Sequence, residues 1–182
     1  MAEINREQQK ELLALARSTI KKHLASAGRE YPPAPEPVLM EKRGVFVTLH
    51  RNGELRGCIG YPLPYKPLWE AVVDNAIAAS SEDPRFPAVT AAELPELDIE
   101  ISVLTVPRKV AGHEQVQVGR DGIIVSKGFQ RGLLLPQVPV EQGWDLEQYI
   151  SYGCRKAGLD RDEWKRGVQI ETFQALVFGE KE

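Results

Sequence analysis

The dipeptide Asn52-Gly53, within the stretch TLHRNGELRGCIG, constrains the fold more than any other feature of the chain. A two-residue hairpin loop of type I′ needs a positive φ at both central positions, and Asn-Gly adopts that conformation readily. Apolar and β-branched residues flank the dipeptide on both sides, as is typical of strands. The sequence therefore predicts an antiparallel hairpin in which Arg51 pairs with Glu54.

The register of this hairpin decides what surrounds Cys58. Counting outward from the turn without a bulge pairs Val47 with Cys58. Cys58 then shares a face with Arg56, while His50 lies on the opposite face, out of reach of the thiol. A bulge near Gly57 would rotate the strand and reverse this result. The regular register is our expectation, and the bulge is its alternative.

Arg56, Gly57, Cys58 and Gly60 form the centre of a candidate site. Glycines inside a strand indicate a bulge or the close approach of another backbone or a ligand. An arginine beside such a gap suits the binding of an anion or a partner. Cys58 has two interpretations, a catalytic or redox thiol or a small buried apolar residue, and the sequence leaves both open.

Three further polar residues are candidates for ligand or partner binding. Arg85 lies in the segment DPRFP, and Gln137 and Glu141 lie in LLLPQVPVEQGW, both of which we expect to be rigid loops. Binding residues tend to lie on loops held by a scaffold. The alternative for each is a hydrogen bond that only fixes its own loop.

The composition excludes several classes of protein. The formal net charge is −3, which argues against a non-specific nucleic-acid-binding protein. No apolar run reaches the roughly 18 residues that span a bilayer, and the polar N-terminus does not resemble a signal peptide. The two cysteines, Cys58 and Cys154, and three scattered histidines predict neither a disulfide framework nor a metal site. We expect a cytoplasmic protein without a cofactor.

Apolar periodicity and capping signals predict an α+β fold, with antiparallel sheet packed against helices. Asn5 with Gln8, and Asp145 with Gln148, match the capping box that begins a helix. A nearly all-apolar helix is expected at 68–80. Beyond the hairpin, strands are expected at 97–106, 116–118, 122–127, 132–135 and 168–178.

Three segments together resemble the AMMECR family, whose hallmark is the sequence LRGCIG. These segments are ELRGCIG, DPRFPAVTAAELPELDIEISVLT and LLLPQVPVEQGWD, and residues 55–60 match the hallmark without substitution. The shorter segments GFQRGLLLPQVP and CRKAGL resemble the prokaryotic branch called AmmeMemoRadiSam system protein A. The resemblance extends over roughly residues 12–178.

This resemblance implies an α+β fold of two unequal subdomains that share a cleft near the LRGCIG sequence. Within a single domain, 1–182, we expect a larger subdomain at 1–60 and 98–182 and a smaller one at 61–97. The family has no established activity. Its prokaryotic branch implies two partners, a Memo-like protein and a radical S-adenosylmethionine protein.

Two functions follow from the resemblance and the residues together. The first is an accessory or binding module that uses the surface around LRGCIG. The second is an enzyme or redox protein that depends on Cys58 and modifies a protein or nucleic acid. Any radical chemistry would belong to the partner, because this chain has no cysteine cluster for an iron–sulfur centre.

Overall fold

The chain forms two units in the structure, a computed structural model that describes residues 4–181. The first unit holds the described residues up to Leu104 and from Leu176 onward, and the second holds Thr105–Ala175. The segment 61–97 therefore groups with 1–60 and not apart from it, because its helix packs on the hairpin. The first and last residues of the predicted domain, 1–3 and 182, lie outside the described residues.

The first unit is a four-stranded sheet with two helices on one face. The strand order is β2-β1-β3-β8, which places β2 and β8 at the two edges. Alternate residues of β1 and β3 are buried in the core with the helices, as the predicted alternation of 97–106 requires. The elements are α1 (Arg6–Leu24), β1 (Val45–Arg51), β2 (Glu54–Tyr61), α2 (Leu68–Ser81), β3 (Leu97–Leu104) and β8 (Ala175–Gly179).

Helix α1 begins as its capping signal predicts. The Asn5 side chain accepts from the backbone N–H of Gln8, and the Gln8 side chain accepts from the N–H of Asn5. Most of α2 is buried, in agreement with its apolar sequence. A proline-rich connector, residues 31–38, precedes β1. Trp69 holds it to α2, because its indole N–H donates to the carbonyl of Pro32 at 2.7 Å.

The second unit is a separate four-stranded sheet of order β4-β7-β5-β6 with a helix packed on β5 and β6. Tyr149 and Cys154 of that helix are completely buried in the core of this unit. Burial raises the pKa of the Cys154 thiol. The elements are β4 (Arg108–Lys109), β5 (Gly122–Lys127), β6 (Gln130–Leu134), α3 (Gln137–Gln142), α4 (Leu146–Lys156) and β7 (Gln169–Phe173).

Two strand predictions in this part of the chain were wrong. Residues 116–118 form no strand and instead follow a short 3₁₀ turn, His113–Gln115. The single strand expected at 168–178 divides at Gln174 into β7 and β8, which lie in different sheets. The division arises because Gln174 exchanges hydrogen bonds with Thr105, at 2.8 Å each, and pairs with no strand.

The α+β class is confirmed by these two antiparallel sheets and four helices among the described residues. Within 4–181, no helix combines the length and apolar character that crossing a membrane requires.

Candidate functional site

A β-bulge at Arg56 sets the geometry of the LRGCIG segment. His50 pairs with Leu55 next to the turn, as the regular register predicts. The following pair joins Leu49 to Gly57, which leaves Arg56 as an extra residue without a partner on β1. The alternative register with a bulge is therefore correct, and the regular register beyond the turn is wrong.

The bulge moves Cys58 to the other face of the sheet. Thr48 lies opposite Cys58 instead of the expected Val47, so Cys58 shares its face with Thr48 and His50. The N–H of Cys58 points away from β1, which makes this a close, non-hydrogen-bonded pair. The Thr48 Oγ1 hydroxyl accordingly donates to Cys58 Sγ at 3.2 Å. The thiol is half-buried.

The outer edge of β2 at Cys58 is covered by Asp83 and Arg85. Asp83 Oδ2 accepts from the backbone N–H of Cys58 at 2.9 Å, and Arg85 Nη2 lies 3.4 Å from the Cys58 carbonyl. The Arg85 guanidinium also donates to both Asp83 oxygens, at 3.0 and 2.7 Å. Together with the N–H groups of Cys58 and Arg85, it holds the pKa of the buried Asp83 carboxyl well below its usual range, despite the opposing effect of burial.

Arg85 is both fixed and accessible. Its Nε and Nη2 groups bind Asp83, and its guanidinium carbon lies 5.4 Å from the centre of the Phe86 ring. The side chain is nevertheless 55% exposed, whereas that of Asp83 is 3% exposed. Among residues 4–181, the Nη1 group of Arg85 has no hydrogen-bond acceptor. The hydrogen bond to the Asp83 carboxylate raises the pKa of Arg85, against the opposing effect of burial.

The guanidinium of Arg56 forms hydrogen bonds with other residues of the same unit. Its Nε and Nη2 groups donate to the two carboxylate oxygens of Glu93, at 2.9 and 3.3 Å, and Nη1 donates to the Pro87 carbonyl at 2.9 Å. Glu93 also accepts from the backbone N–H and hydroxyl of Thr90. These donors, led by Arg56, lower the pKa of Glu93 to about 2. The guanidinium therefore ties β2 to the loop of residues 82–93.

The two glycines of the segment are packed against other parts of the same chain. A Cβ atom at Gly57 would overlap the carbonyl oxygen of Ala79, so α2 packs directly on the strand here. A Cβ atom at Gly60 would overlap the backbone and ring of Phe46. The close approach that the glycines indicate is thus the approach of α2 and Phe46.

Gln137 and Glu141 belong to the second unit and are exposed. They lie in α3, one turn apart, and not in the rigid loop that we expected. The prolines that suggested a loop are tolerated because this helix is a short one of six residues, with few internal hydrogen bonds to lose. The role predicted for these two side chains in binding stays a prediction.

Sequence reasoning missed the residues that bind the LRGCIG segment. Thr48 was missed because the regular register placed it opposite Gly57. Asp83 carries a usable signal, since an aspartate two residues before an arginine in a proline-bounded loop can form this pair. Within 4–181, no three His, Cys, Asp or Glu side chains converge as metal ligands.

Comparison with known proteins places this chain in a family. Protein MJ0810 of Methanocaldococcus jannaschii is 48% identical, with 92% of this chain and 87% of the relative aligned. Protein PYRAB00100 of Pyrococcus abyssi is 44% identical over 100% of this chain and 94% of its own. The crystal structure of the uncharacterized protein PH0010 from Pyrococcus horikoshii matches with a TM-score of 0.83 at 44% identity, and the match covers 98% of this chain and 94% of that one. The AMMECR1 family model matches residues 13–178, and the chain belongs to this family.

Proposed function

We propose that the protein is a cytoplasmic accessory module that binds a partner protein through the surface formed by Thr48, Cys58 and Arg85. The observation that carries the proposal is that a buried carboxylate fixes Arg85, while its exposed Nη1 group has no acceptor within 4–181. A guanidinium that is already ordered loses little conformational entropy when it binds. Its planar donors suit a carboxylate or another anionic group on the partner.

The partners expected from the family resemblance are a Memo-like protein and a radical S-adenosylmethionine protein. Arg56, Gly57 and Gly60 support the surface in this proposal, because they fix β2 against the 82–93 loop, α2 and Phe46. Arg85 is the residue that contacts the partner. This assignment differs from one based on the sequence alone, in which Arg56 would be the exposed anion-binding group.

The test is a binding measurement with the purified Memo-like and radical S-adenosylmethionine proteins. We expect Arg85→Gln to weaken binding of at least one of them by tenfold or more. Arg85→Lys, which keeps the charge beside Asp83 but loses the planar fork, should weaken it less. Arg131→Gln is the matched control, because Arg131 is similarly exposed, pairs with Glu171 and lies in the second unit. Equal binding by wild type and a folded Arg85→Gln variant would refute the proposal.

A second function, a Cys58-dependent enzyme or redox protein that modifies a protein or nucleic acid, is favoured by one observation. The bulge places the thiol on the same face as Thr48 and His50, and the Thr48 hydroxyl donates to the sulfur. The hydroxyl fixes the position of the sulfur, and a positioned nucleophile is what covalent or redox chemistry at a thiol requires.

Alkylation by iodoacetamide distinguishes this second function from the first. A reactive Cys58 is alkylated in the folded protein near neutral pH, and Thr48→Val slows the reaction because the donor is lost. Cys154, which is completely buried, is the internal control and should react only after unfolding. A Cys58 that is also alkylated only after unfolding would eliminate the enzymatic alternative.

A further inference from the structure

The edge of the first sheet opposite to the LRGCIG segment is open. Strand β8 has β3 as its neighbour on one side, and no strand among residues 4–181 pairs with its other side. Two of its apolar side chains are exposed, Leu176 to 38% and Val177 to 46%. An unpaired edge with exposed apolar side chains is a template for the addition of another strand.

A groove runs between this open edge and α1. Its volume is about 300 Å³, which lies at the lower end of the range for binding pockets. Its apolar wall is formed by Leu13 of α1 and Phe178 of β8, both of them largely buried. The described residues that line it are Arg6, Gln9, Lys10, Leu13, Phe178 and Gly179.

The polar rim of the groove carries positive charge that no ion pair among residues 4–181 neutralises. Arg6 and Lys10 lie one turn apart on α1, and both are exposed. Neither has an ion-pair partner in the described part of the chain, whereas Arg17 on the same helix is paired with Glu180 at 2.5 Å. Among the described residues that line the groove, none is acidic. The rim thus favours a negatively charged occupant, although the whole chain carries a net charge of −3.

We propose that β8 and the groove bind an extended, acidic segment of a partner protein, which adds to the sheet as a fifth strand. Main-chain hydrogen bonds to an edge strand supply affinity in this mode of recognition, and pockets for alternate side chains supply specificity. A strand paired with β8 would lie about 4.8 Å from it. Alternate side chains of that strand would enter the groove, with apolar groups against Leu13 and Phe178 and carboxylates beside Arg6 and Lys10.

The test uses fluorescence anisotropy with the full-length protein and the labelled peptide Ser-Val-Thr-Glu-Thr-Val-Thr-Glu-Ser, in which the valines and glutamates share one face of an extended strand. We expect it to bind at least tenfold more tightly than the matched peptide in which both glutamates are lysines. N-methylation of alternate peptide nitrogens, which removes the main-chain donors, should also weaken binding at least tenfold. Equal binding of the acidic and basic peptides, or no loss on N-methylation, would overturn the proposal.

The protein variants separate the groove from general electrostatics. Arg6→Gln with Lys10→Gln should reduce affinity for the acidic peptide at least tenfold. Lys21→Gln with Lys22→Gln removes the same charge from the far end of α1 and should leave the affinity within twofold. Equal losses in the two variants would overturn the proposal.

Three further outcomes complete the test. Arg85→Gln should leave peptide binding unchanged, because Arg85 contacts the opposite edge of the sheet, so this proposal does not rest on the proposed function. Sedimentation velocity showing a dimer that dissociates on Val177→Lys would assign the edge to a second copy and overturn the proposal. If a variant without residues 1–3 binds the peptide at least tenfold more tightly, those residues compete with the peptide for the groove. That result would also overturn the proposal.

Discussion

The two edges of the first sheet, β2 and β8, are built in opposite ways. At β2 the backbone N–H of Cys58 is bound by a buried carboxylate, and Arg56 and Arg85 connect the strand to the loop of residues 82–93. At β8 the outer edge has no strand neighbour in the described chain, and the exposed side chains are Leu176 and Val177. One sheet thus has one covered edge and one open edge.

This difference explains why charged side chains bind the edge of β2 while a glycine lies on its core side. Covering an edge with a loop leaves the strand's polar groups without a ladder partner, so side chains must bind them. Asp83 does this for Cys58, and the charge of Asp83 in turn requires Arg85. The absent Cβ at Gly57 lets α2 pack on the same strand from the core side. β2 is therefore fixed from two sides, whereas β8 is fixed from one.

The largest expected effect of a substitution is at Gly57. Gly57→Ala places a methyl group on the carbonyl oxygen of Ala79, and neither backbone can move without separating α2 from β2. We expect a loss of about 3 kcal/mol in the free energy of unfolding, measured by urea denaturation. Gly179→Ala is the matched substitution at β8, where the nearest atom, the Ile99 carbonyl oxygen, is at an ordinary 3.6 Å. A similar loss in both variants would contradict the contrast between the edges.

The next largest loss of stability is expected when the carboxylate that binds the edge of β2 is removed. Asp83→Ala leaves the Cys58 N–H without its acceptor and Arg85 without its ion-pair partner. We expect the free energy of unfolding to fall by about 2 kcal/mol, the usual cost of an unsatisfied buried donor. Glu82→Ala removes the exposed neighbouring acid and should change it by less than about 0.5 kcal/mol. If the two variants unfold alike, Asp83 does not hold the edge.

Much of the fold is predictable from the sequence, because it depends on local signals. Asn5 and Asp145 begin helices, Asn52-Gly53 forms the hairpin turn, and the alternation in 97–104 identifies the buried face of β3. Each signal acts over a few residues. The prediction of a single terminal strand was wrong because it needed a long-range contact. The division at Gln174 depends on Thr105, which lies 69 residues away in the sequence.

The site was less predictable than the fold. A shift of one residue in the pairing of β1 with β2 decides which side chains lie next to Cys58. The bulge at Arg56 reverses the face of Cys58, and it is coupled to an ion pair with Glu93, 37 residues further along. A sequence pattern can indicate that a bulge is available at Gly57, but the partner that accompanies it comes from the tertiary fold. The residues of the segment were identified correctly as candidates, while their contacts could not be.

A smaller loss of stability is expected when the pH is lowered and Glu93 becomes protonated. The pKa of Glu93 is lowered from an ordinary 4.5 to about 2, mainly by Arg56. A lowered pKa means that the carboxylate stabilises the fold above pH 4.5, and that this contribution is lost as the pH falls toward 2. We expect the free energy of unfolding of the wild type to fall by about 1 kcal/mol more than that of Glu93→Gln between pH 5.5 and 2.5. Parallel pH profiles would show that Arg56 and Glu93 contribute little to the covered edge.

The smallest effect is expected at the open edge itself. Val177 is 46% exposed on a strand with one neighbour, so few contacts depend on its side chain. Val177→Thr keeps the branched shape and Val177→Lys adds a charge, and each should change the free energy of unfolding by less than about 0.5 kcal/mol. A loss above about 1 kcal/mol in the lysine variant alone would mean that the side chain is covered in solution. Unchanged stability in both variants would show that the Val177 side chain has little part in folding, which leaves the outer side of β8 free for recognition.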